Sequence, residues 1–318
     1  MTLRALVIGT GFGARVVAPA LAAAGAEVVD VVSARADVAG AIAHSAADLV
    51  SVHSPPFLHA EHVERAFDAG AAVLCDKPCT PSASETAALV AGAEASGSQH
   101  FVNFEFRYDP CRVELRRLVR HGAIGSIEHI SWTHRTAGST QPLRKHGWLF
   151  DRDRGGGWIG AWASHAVDTL HWLLGEPLAV ESCRTRIDVV VRPDVDGNER
   201  ACTAEDGLLA RLVTPSGVAI DIDSTYAASD PAVPRLVVSG RDGTITSVGD
   251  RHLSIERGGV ASTWEPESNG ADHHVQPMHA WAIELVRTIV EARDPAGMPT
   301  LYDGLAVDRV LDALRAEA

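Results

Sequence analysis

Leu3-Arg4-Ala5-Leu6-Val7-Ile8-Gly9-Thr10-Gly11-Phe12-Gly13-Ala14-Arg15 is a short apolar run that ends in three alternating glycines. It leads into Ala14 to Ala24, which carries a single charge and closes on Gly25. That order predicts strand, tight turn and helix. Glycine adopts positive φ and lets another group approach the backbone closely, and the N–H groups at a helix start attract an anion such as a pyrophosphate. The stretch matches a dinucleotide-binding fingerprint with Ala14 where a third glycine would fall, and a plain surface turn is the competing interpretation. Context favours the fingerprint: a second apolar strand, Val28 to Val32, follows the helix as a βαβ unit requires. Pro19 argues against a straight helix.

The remaining composition narrows the class. With 318 residues, 46% of them hydrophobic, the chain is long enough for two domains. Its net charge is −13, and no Lys/Arg cluster offsets that repulsion along a polyphosphate, so no nucleic-acid partner is expected. Neither a basic and apolar leader nor a run of membrane-spanning length is visible, so a cytoplasmic protein without membrane association is expected. The five cysteines are scattered and odd in number, which fits reduced thiols. Cys75 and Cys79 have the wrong spacing for a zinc knuckle. Asp272-His273-His274 with His279 lacks a further ligand at helical spacing, so a solvated loop and no metal are expected there.

Helices are predicted over Asp37 to Ala43, His59 to Ala69 and Ser82 to Ala95, and strands over Asp48 to His53, Ala71 to Cys75 and Phe101 to Phe106. Their alternation predicts an α/β domain, a doubly wound and mostly parallel sheet, over residues 1–109. After one helix, Cys111 to Arg120, strands cluster: Ser126 to Thr136, Ala179 to Val191, Gly207 to Thr214, Gly217 to Thr225, Arg235 to Ser239 and Gly243 to Val248. Helices are expected only over Ser164 to Leu174, Met278 to Ala292 and Leu305 to Ala316. Residues 110–318 therefore predict an α+β domain with a large, mostly antiparallel sheet.

Open parallel sheets bind ligands at the carboxyl ends of their strands, and the glycine turn, Ser54-Pro55-Pro56 and Asp76-Lys77-Pro78 all fall at such ends. A lysine held between a buried strand and a proline can polarise a hydroxyl or carbonyl beside a bound nicotinamide. Taken alone Lys77 would be a solvated loop lysine, and its position at the sheet edge decides for chemistry. The second candidate is His165, at the first turn of a helix and three residues from Asp168, behind Gly155-Gly156-Gly157. Such an imidazole can give and take a proton near neutral pH, and the alternative is a core histidine satisfied by Asp168.

Together these residues resemble the glucose–fructose oxidoreductase, inositol dehydrogenase and rhizopine-catabolism (Gfo/Idh/MocA) family of nicotinamide-dependent sugar and polyol oxidoreductases. The resemblance is carried by the glycine turn, Ser54-Pro55-Pro56 with His59, and Asp76-Lys77-Pro78 standing for Glu-Lys-Pro. It continues through Asn103-Phe104-Glu105-Phe106-Arg107-Tyr108 with Pro110, Gly122-Ala123-Ile124-Gly125, the triple glycine with His165 and Asp168, and a closing Asp303-Gly304 helix. It implies an amino-terminal Rossmann domain, a carboxyl-terminal open-faced sheet domain, hydride transfer between them, and homodimers or homotetramers through that sheet. By match Lys77 is the catalytic lysine and His165 the histidine that handles the proton of the substrate hydroxyl. Ala161 departs from the family, many of whose members carry an aspartate there. The segment from Arg35 to Asp48 is also too short for the usual helix, strand and helix.

The expected cofactor contacts are Gly9, Thr10, Gly11, Phe12, Gly13, Ser33, Arg35, Ser54, Pro55, His59, Asp76 and Lys77. Ser33-Ala34-Arg35 ends the second strand with donors and positive charge, which favours the 2′-phosphate of NADP. Asp30 would favour NAD if the strand stopped sooner. Lys77, Arg107, Trp148, Trp162 and His165 are the expected substrate contacts, because tryptophan faces edged by polar groups suit a sugar ring. Core packing is the alternative for the tryptophans, Trp158 included. The expected activity interconverts a secondary alcohol and a ketone on a sugar, polyol or related cyclic substrate with NADP or NAD. A silent dinucleotide- or sugar-binding sensor and an NAD-dependent glycosidase are the alternatives.

Overall fold

The computed structural model describes residues 2–267 and 272–318. They form two compact units, Met1–Tyr108 with Gly270–Arg309, and Asp109–Asn269 with Val310–Ala318.

In the first unit β1 (Arg4–Ile8) is followed by a π-helical turn, Gly13–Val17, and α1 (Ala18–Ala23). Then come β2 (Glu27–Val32), α2 (Val38–Ser45), β3 (Leu49–Val52), α3 (His59–Asp68), β4 (Ala72–Cys75), α4 (Ala83–Ser96) and β5 (His100–Val102). The strands pair in the order β2-β1-β3-β4-β5, all in parallel. β3 and β4 are buried along their whole length, as a sheet covered on both faces demands, which is why they read as continuous apolar runs. Side chains supply the helix starts: Asp37 accepts from the Gly40 N–H at 2.9 Å, and Ser82 accepts from the Glu85 N–H. Strand order reverses between β1 and β3, so the turns that leave these two strands flank the switch point.

The second unit holds α5 (Pro110–Arg120), β6 (Ile127–Arg135), α6 (Ser164–Leu174), β7 (Ala179–Arg186), β8 (Val191–Pro193), β9 (Glu199–Ala201) and β10 (Gly207–Val213). It continues with β11 (Ala219–Thr225), β12 (Arg235–Gly240), β13 (Gly243–Val248), β14 (His252–Arg257) and β15 (Val260–Trp264). Eight strands form one sheet, β15-β14-β13-β12-β6-β11-β10-β7, antiparallel except where β6 meets β11. Alternation sets its faces: Leu208, Ala210, Leu212, Ile220 and Ile222 are buried, while Leu209 and Arg211 point the other way and are exposed. The architecture is thus a Rossmann-type α/β unit and an α+β unit with a large, mostly antiparallel sheet.

Several elements differ from the sequence expectation. β5 stops at Val102, because the Phe104 N–H turns back to the Val102 carbonyl and Glu105–Tyr108 forms a single 3-10 turn. The strand expected over Ala179 to Val191 breaks after Arg186, where Asp206 accepts the N–H groups of Asp188 and Val189 at 2.8 and 3.1 Å. β14 and β15 extend the sheet beyond the expected strands. α7 (Val275–Val290) returns to the first unit, where Met278, Trp281, Ala282 and Leu285 pack with Leu3, Val7, Leu74 and Phe101. α8 (Leu301–Ala316) begins in the first unit and ends in the second. A strictly serial division at residues 109 and 110 does not capture that return. Among the described residues no helix is long and apolar enough to cross a membrane.

Candidate active site

The glycine turn is built from the sheet outward. Gly9 has φ of +130°, and a Cβ there would strike the His53 carbonyl oxygen; one on Gly13 would lie 3.1 Å from both Val7 Cγ1 and His53 Cβ. Gly9 therefore requires glycine, whereas a Cβ on Gly13 would fit only if Val7 and His53 gave way by a few tenths of an ångström. Gly11 is different: nothing lies within 4 Å of where its Cβ would stand, and it is exposed together with Thr10. The Gly9 N–H donates to Val32 at 2.8 Å, which ties the turn to the end of β2, and the Arg15 N–H donates to Gly11 at 3.1 Å where the helical stretch begins. An open, side-chain-free backbone at a helix start fits the diphosphate of a dinucleotide.

The ends of β3, β4 and β5 are cross-linked by polar side chains. His53 Nε2 lies 2.7 Å from Ser51 Oγ, and its Nδ1 lies 3.0 Å from Asp76 Oδ2. The Lys77 N–H donates to Asp76 Oδ1 at 2.9 Å, and Asn103 Nδ2 donates to the same oxygen at 3.4 Å. Burial opposes ionisation of Asp76, but His53 and the charges of Lys77 and His59 outweigh it and hold the carboxyl well below the usual range. At Lys77 burial lowers the ammonium pKa, while Asp76 and Glu105 act against that shift.

His59 is buried with both nitrogens facing carbonyl oxygens: Nε2 is 2.6 Å from Ser54, and Nδ1 is 3.1 Å from Pro78 and 3.0 Å from Cys79. A carbonyl only accepts, so both nitrogens must donate and the ring is an imidazolium. Burial disfavours that charge, but the neighbouring Cys75, with Sγ 3.8 Å from Nδ1, helps raise the pKa to about 9. For Cys75 the hydrogen bond from Cys79 outweighs burial and, with His59, lowers the thiol to about 6.

In the second unit the triple glycine lets a carboxylate reach a helix start. A Cβ on Gly157 would collide with the Glu205 carboxylate, and one on Gly156 would strike the backbone oxygens of Trp148, Leu149 and Asp151. Glu205 Oε1 accepts from the Ile159 N–H at 3.0 Å, at the head of the π turn Ile159–Ala163 that runs into α6; burial pushes this carboxyl upward. His165 sits in the first turn of α6 at 6% exposure. The Thr169 hydroxyl donates to its carbonyl at 2.8 Å and accepts from Arg112 Nη1 at 2.7 Å.

Of the sequence-derived candidates, the structure gathers Gly9 to Gly13, Ser54, Pro55, His59, Asp76 and Lys77 at the carboxyl ends of β1, β3 and β4 in the first unit. Ser33 and Arg35 follow β2 directly, with the Arg35 N–H on Ser33 Oγ at 3.2 Å; Asp30 lies within the strand, opposite Leu6. Ser54 Oγ faces His62 Nδ1 at 3.0 Å. Arg107, 8% exposed, pairs with Asp303 at 2.8 Å. Trp162 is buried among Trp132, His134 and Trp158, and Trp158 stacks on Tyr226 at 4.4 Å, so core packing describes both tryptophans; Trp148 is half-buried in a short 3-10 turn. His53 and Glu205 are polar groups of these sites that motif reading passes over, and Glu105 stands in the stretch Asn103 to Tyr108 with no role assigned to it from the sequence. His53, at the end of an alternating run before Ser-Pro-Pro, and Glu105, within the stretch Asn103 to Tyr108, left local signals, and Glu205 left none. Among the described residues no group of three or more His, Cys, Asp or Glu is placed to hold a metal ion.

Comparison with known proteins adds independent evidence. Residues 34–104 match a family model described as "Oxidoreductase family, NAD-binding Rossmann fold", and residues 113–246 match one described as "GFO/IDH/MocA C-terminal domain". An uncharacterized oxidoreductase of Synechocystis, sll0816, is 32% identical over 76% of this chain and 71% of its own. Inositol 2-dehydrogenase 1 of Saccharopolyspora erythraea is 27% identical over 100% of this chain and 94% of its own. A solved levoglucosan dehydrogenase, in complex with NADH and levoglucosan, superposes with a TM-score of 0.88 at 21% identity, over 100% of this chain and 97% of that one, and shares its fold.

Proposed function

Because the chain belongs to the GFO/IDH/MocA oxidoreductase family, we propose that it is a nicotinamide-dependent dehydrogenase that interconverts a secondary alcohol and a ketone on a sugar, polyol or related cyclic substrate. The observation that carries this function is the convergence of the glycine turn, Ser54 and Lys77 at the carboxyl ends of adjacent parallel strands around the switch point. The relatives named as inositol and levoglucosan dehydrogenases support the substrate class.

The backbone of Gly9 to Gly13 would hold the diphosphate of the dinucleotide. Its nicotinamide, when bound, supplies the hydride acceptor or donor. Lys77 donates a hydrogen bond to the reacting oxygen and polarises it, and His165 accepts the hydroxyl proton in oxidation and returns it in reduction. Ser33 and Arg35 after β2 support NADP(H), whereas the solved relative named with NADH supports NAD(H). The proposal extends to a homodimer or homotetramer through the exposed face of the eight-stranded sheet, and to a cytoplasmic location.

Fluorescence titration with NADH and NADPH, followed by turnover with a panel of polyols and sugars, tests this function. Binding of either nucleotide, with NADPH the tighter, is expected. Lys77→Ala should keep that binding and lose about 10²–10⁴-fold in turnover. Absence of binding to both nucleotides would overturn the proposal, and tighter NADH binding would assign the cofactor as NAD.

A further inference from the structure

The junction that carries His165 into α6 is tied down by two hydroxyls. Ser164 Oγ donates to the Gly160 carbonyl at 2.7 Å, and Thr169 Oγ1 donates to the His165 carbonyl at 2.8 Å. Such bonds to the preceding turn are an ordinary way for a buried helix to satisfy a hydroxyl. Thr169 differs in one respect: Arg112 Nη1 donates to the same oxygen at 2.7 Å. A hydroxyl has one hydrogen, and Thr169 gives it to His165, so the guanidinium bond falls on a lone pair and polarises the O–H toward the carbonyl. Arg112, Thr169 and His165 are 5%, 3% and 6% exposed, so little water competes with this chain of hydrogen bonds.

Arg112 is itself held from several directions. Asp109 caps α5 and accepts the Arg112 N–H at 3.1 Å. Nε and Nη2 donate at 3.3 and 2.8 Å to Oδ2 of Asp250, in the turn between β13 and β14. The guanidinium carbon lies 5.5 Å from the centre of the Trp132 ring, and Trp132 meets Trp162 edge to face at 5.5 Å. Trp162 belongs to the π turn Ile159–Ala163, which interrupts the regular α-helical ladder immediately before Ser164 and makes outside ties count for more in the first turn of α6. One side chain on α5 thus reaches that turn by two routes, Thr169 and the Trp132–Trp162 pair. We propose that Arg112 is a positioning residue for His165, acting through the Thr169 hydroxyl on the His165 carbonyl. This assignment rests on the proposed proton-handling role of His165.

Thr169→Val keeps the shape and removes the hydroxyl, Thr169→Ser keeps the hydroxyl, and Arg112→Met keeps a long apolar stem beside Trp132 without the donors. Thr169→Val should lower kcat by about 10-fold, with KM and NADH affinity unchanged, and Thr169→Ser should recover most of it. Arg112→Met should lower kcat similarly, and the double variant Arg112→Met with Thr169→Val should lose no more than the worse single variant, because the two act in series. In hydrogen–deuterium exchange read by mass spectrometry, the peptide spanning residues 159–169 should exchange faster in Thr169→Val and not in Thr169→Ser, with the strands of the eight-stranded sheet unchanged. Wild-type kcat in Thr169→Val, a loss confined to KM, or additive losses in the double variant would overturn the proposal. If Arg112→Met does not fold, the two Thr169 variants decide. If the wild-type protein turns over no sugar or polyol, the proposed function fails by that result, and the exchange measurement decides the present inference by itself: unchanged exchange in Thr169→Val overturns it, and local acceleration rescued by Thr169→Ser supports it.

Discussion

His53 Nδ1 lies 3.0 Å from Asp76 Oδ2, so one buried imidazole joins the end of β3 to the residue that precedes Lys77. The same residue fills the space left by the missing side chains of Gly9 and Gly13. The phosphate-type turn and the lysine turn therefore share a support, and disturbing that support should be felt in both.

Asp76→Asn tests it. The native carboxyl is depressed relative to its unfolded value of 3.8, so its stabilisation is fully present above that value and is lost as pH falls toward the native pKa. The variant should lose about 1–3 kcal/mol at neutral pH, the cost of replacing a largely buried carboxylate that accepts hydrogen bonds and faces the Lys77 charge. That deficit should shrink as pH drops below about 4, which urea unfolding at neutral and acid pH would reveal.

His59 makes a different prediction. With both nitrogens donating to carbonyls, His59→Gln leaves at least one buried acceptor unsatisfied and should cost about 1–3 kcal/mol in unfolding experiments. The imidazolium also supports the Cys75 thiolate, which titrates at about 6. Ultraviolet thiolate absorbance, taken as the difference from Cys75→Ser, should show that titration moving up by about one pH unit in His59→Gln. The hydrogen bond from Cys79 would account for the depression that remains.

The glycines separate folding from binding. Gly9→Ala meets both a φ of +130° and the His53 carbonyl, and should destabilise the protein by about 2 kcal/mol or more. At Gly11 a methyl group has open space and no positive φ to resist it, so Gly11→Ala should melt close to wild type. The same methyl would occupy the exposed edge of the turn, so NADH binding should weaken. Differential scanning calorimetry with NADH titration distinguishes the two variants.

Much of this organisation was legible because the informative signals are local. Apolar runs bounded by Gly and Pro locate β1, β3 and β4, and the turns after them fall at one edge of the sheet once the strands are parallel. What escaped depends on distant parts of the chain. The return of α7 to the first unit is decided by Trp281 meeting Phe101, ring to ring at 6.0 Å across about half the chain, which no periodicity encodes. Glu205 reaches the Ile159 N–H through a gap that Gly157 leaves, so its role exists only in three dimensions. Glu105 was misplaced for a simpler reason: Phe101 to Phe106 alternates like a strand, but the backbone turns after Val102.

A crystal structure of the protein with NADH bound would test the enzymatic account most directly. The account predicts the diphosphate on the backbone of Gly9 to Gly13, with Lys77 Nζ and the His165 imidazole both facing the space beside the nicotinamide C4. A nicotinamide bound elsewhere, or those two side chains opening into separate spaces, would contradict it.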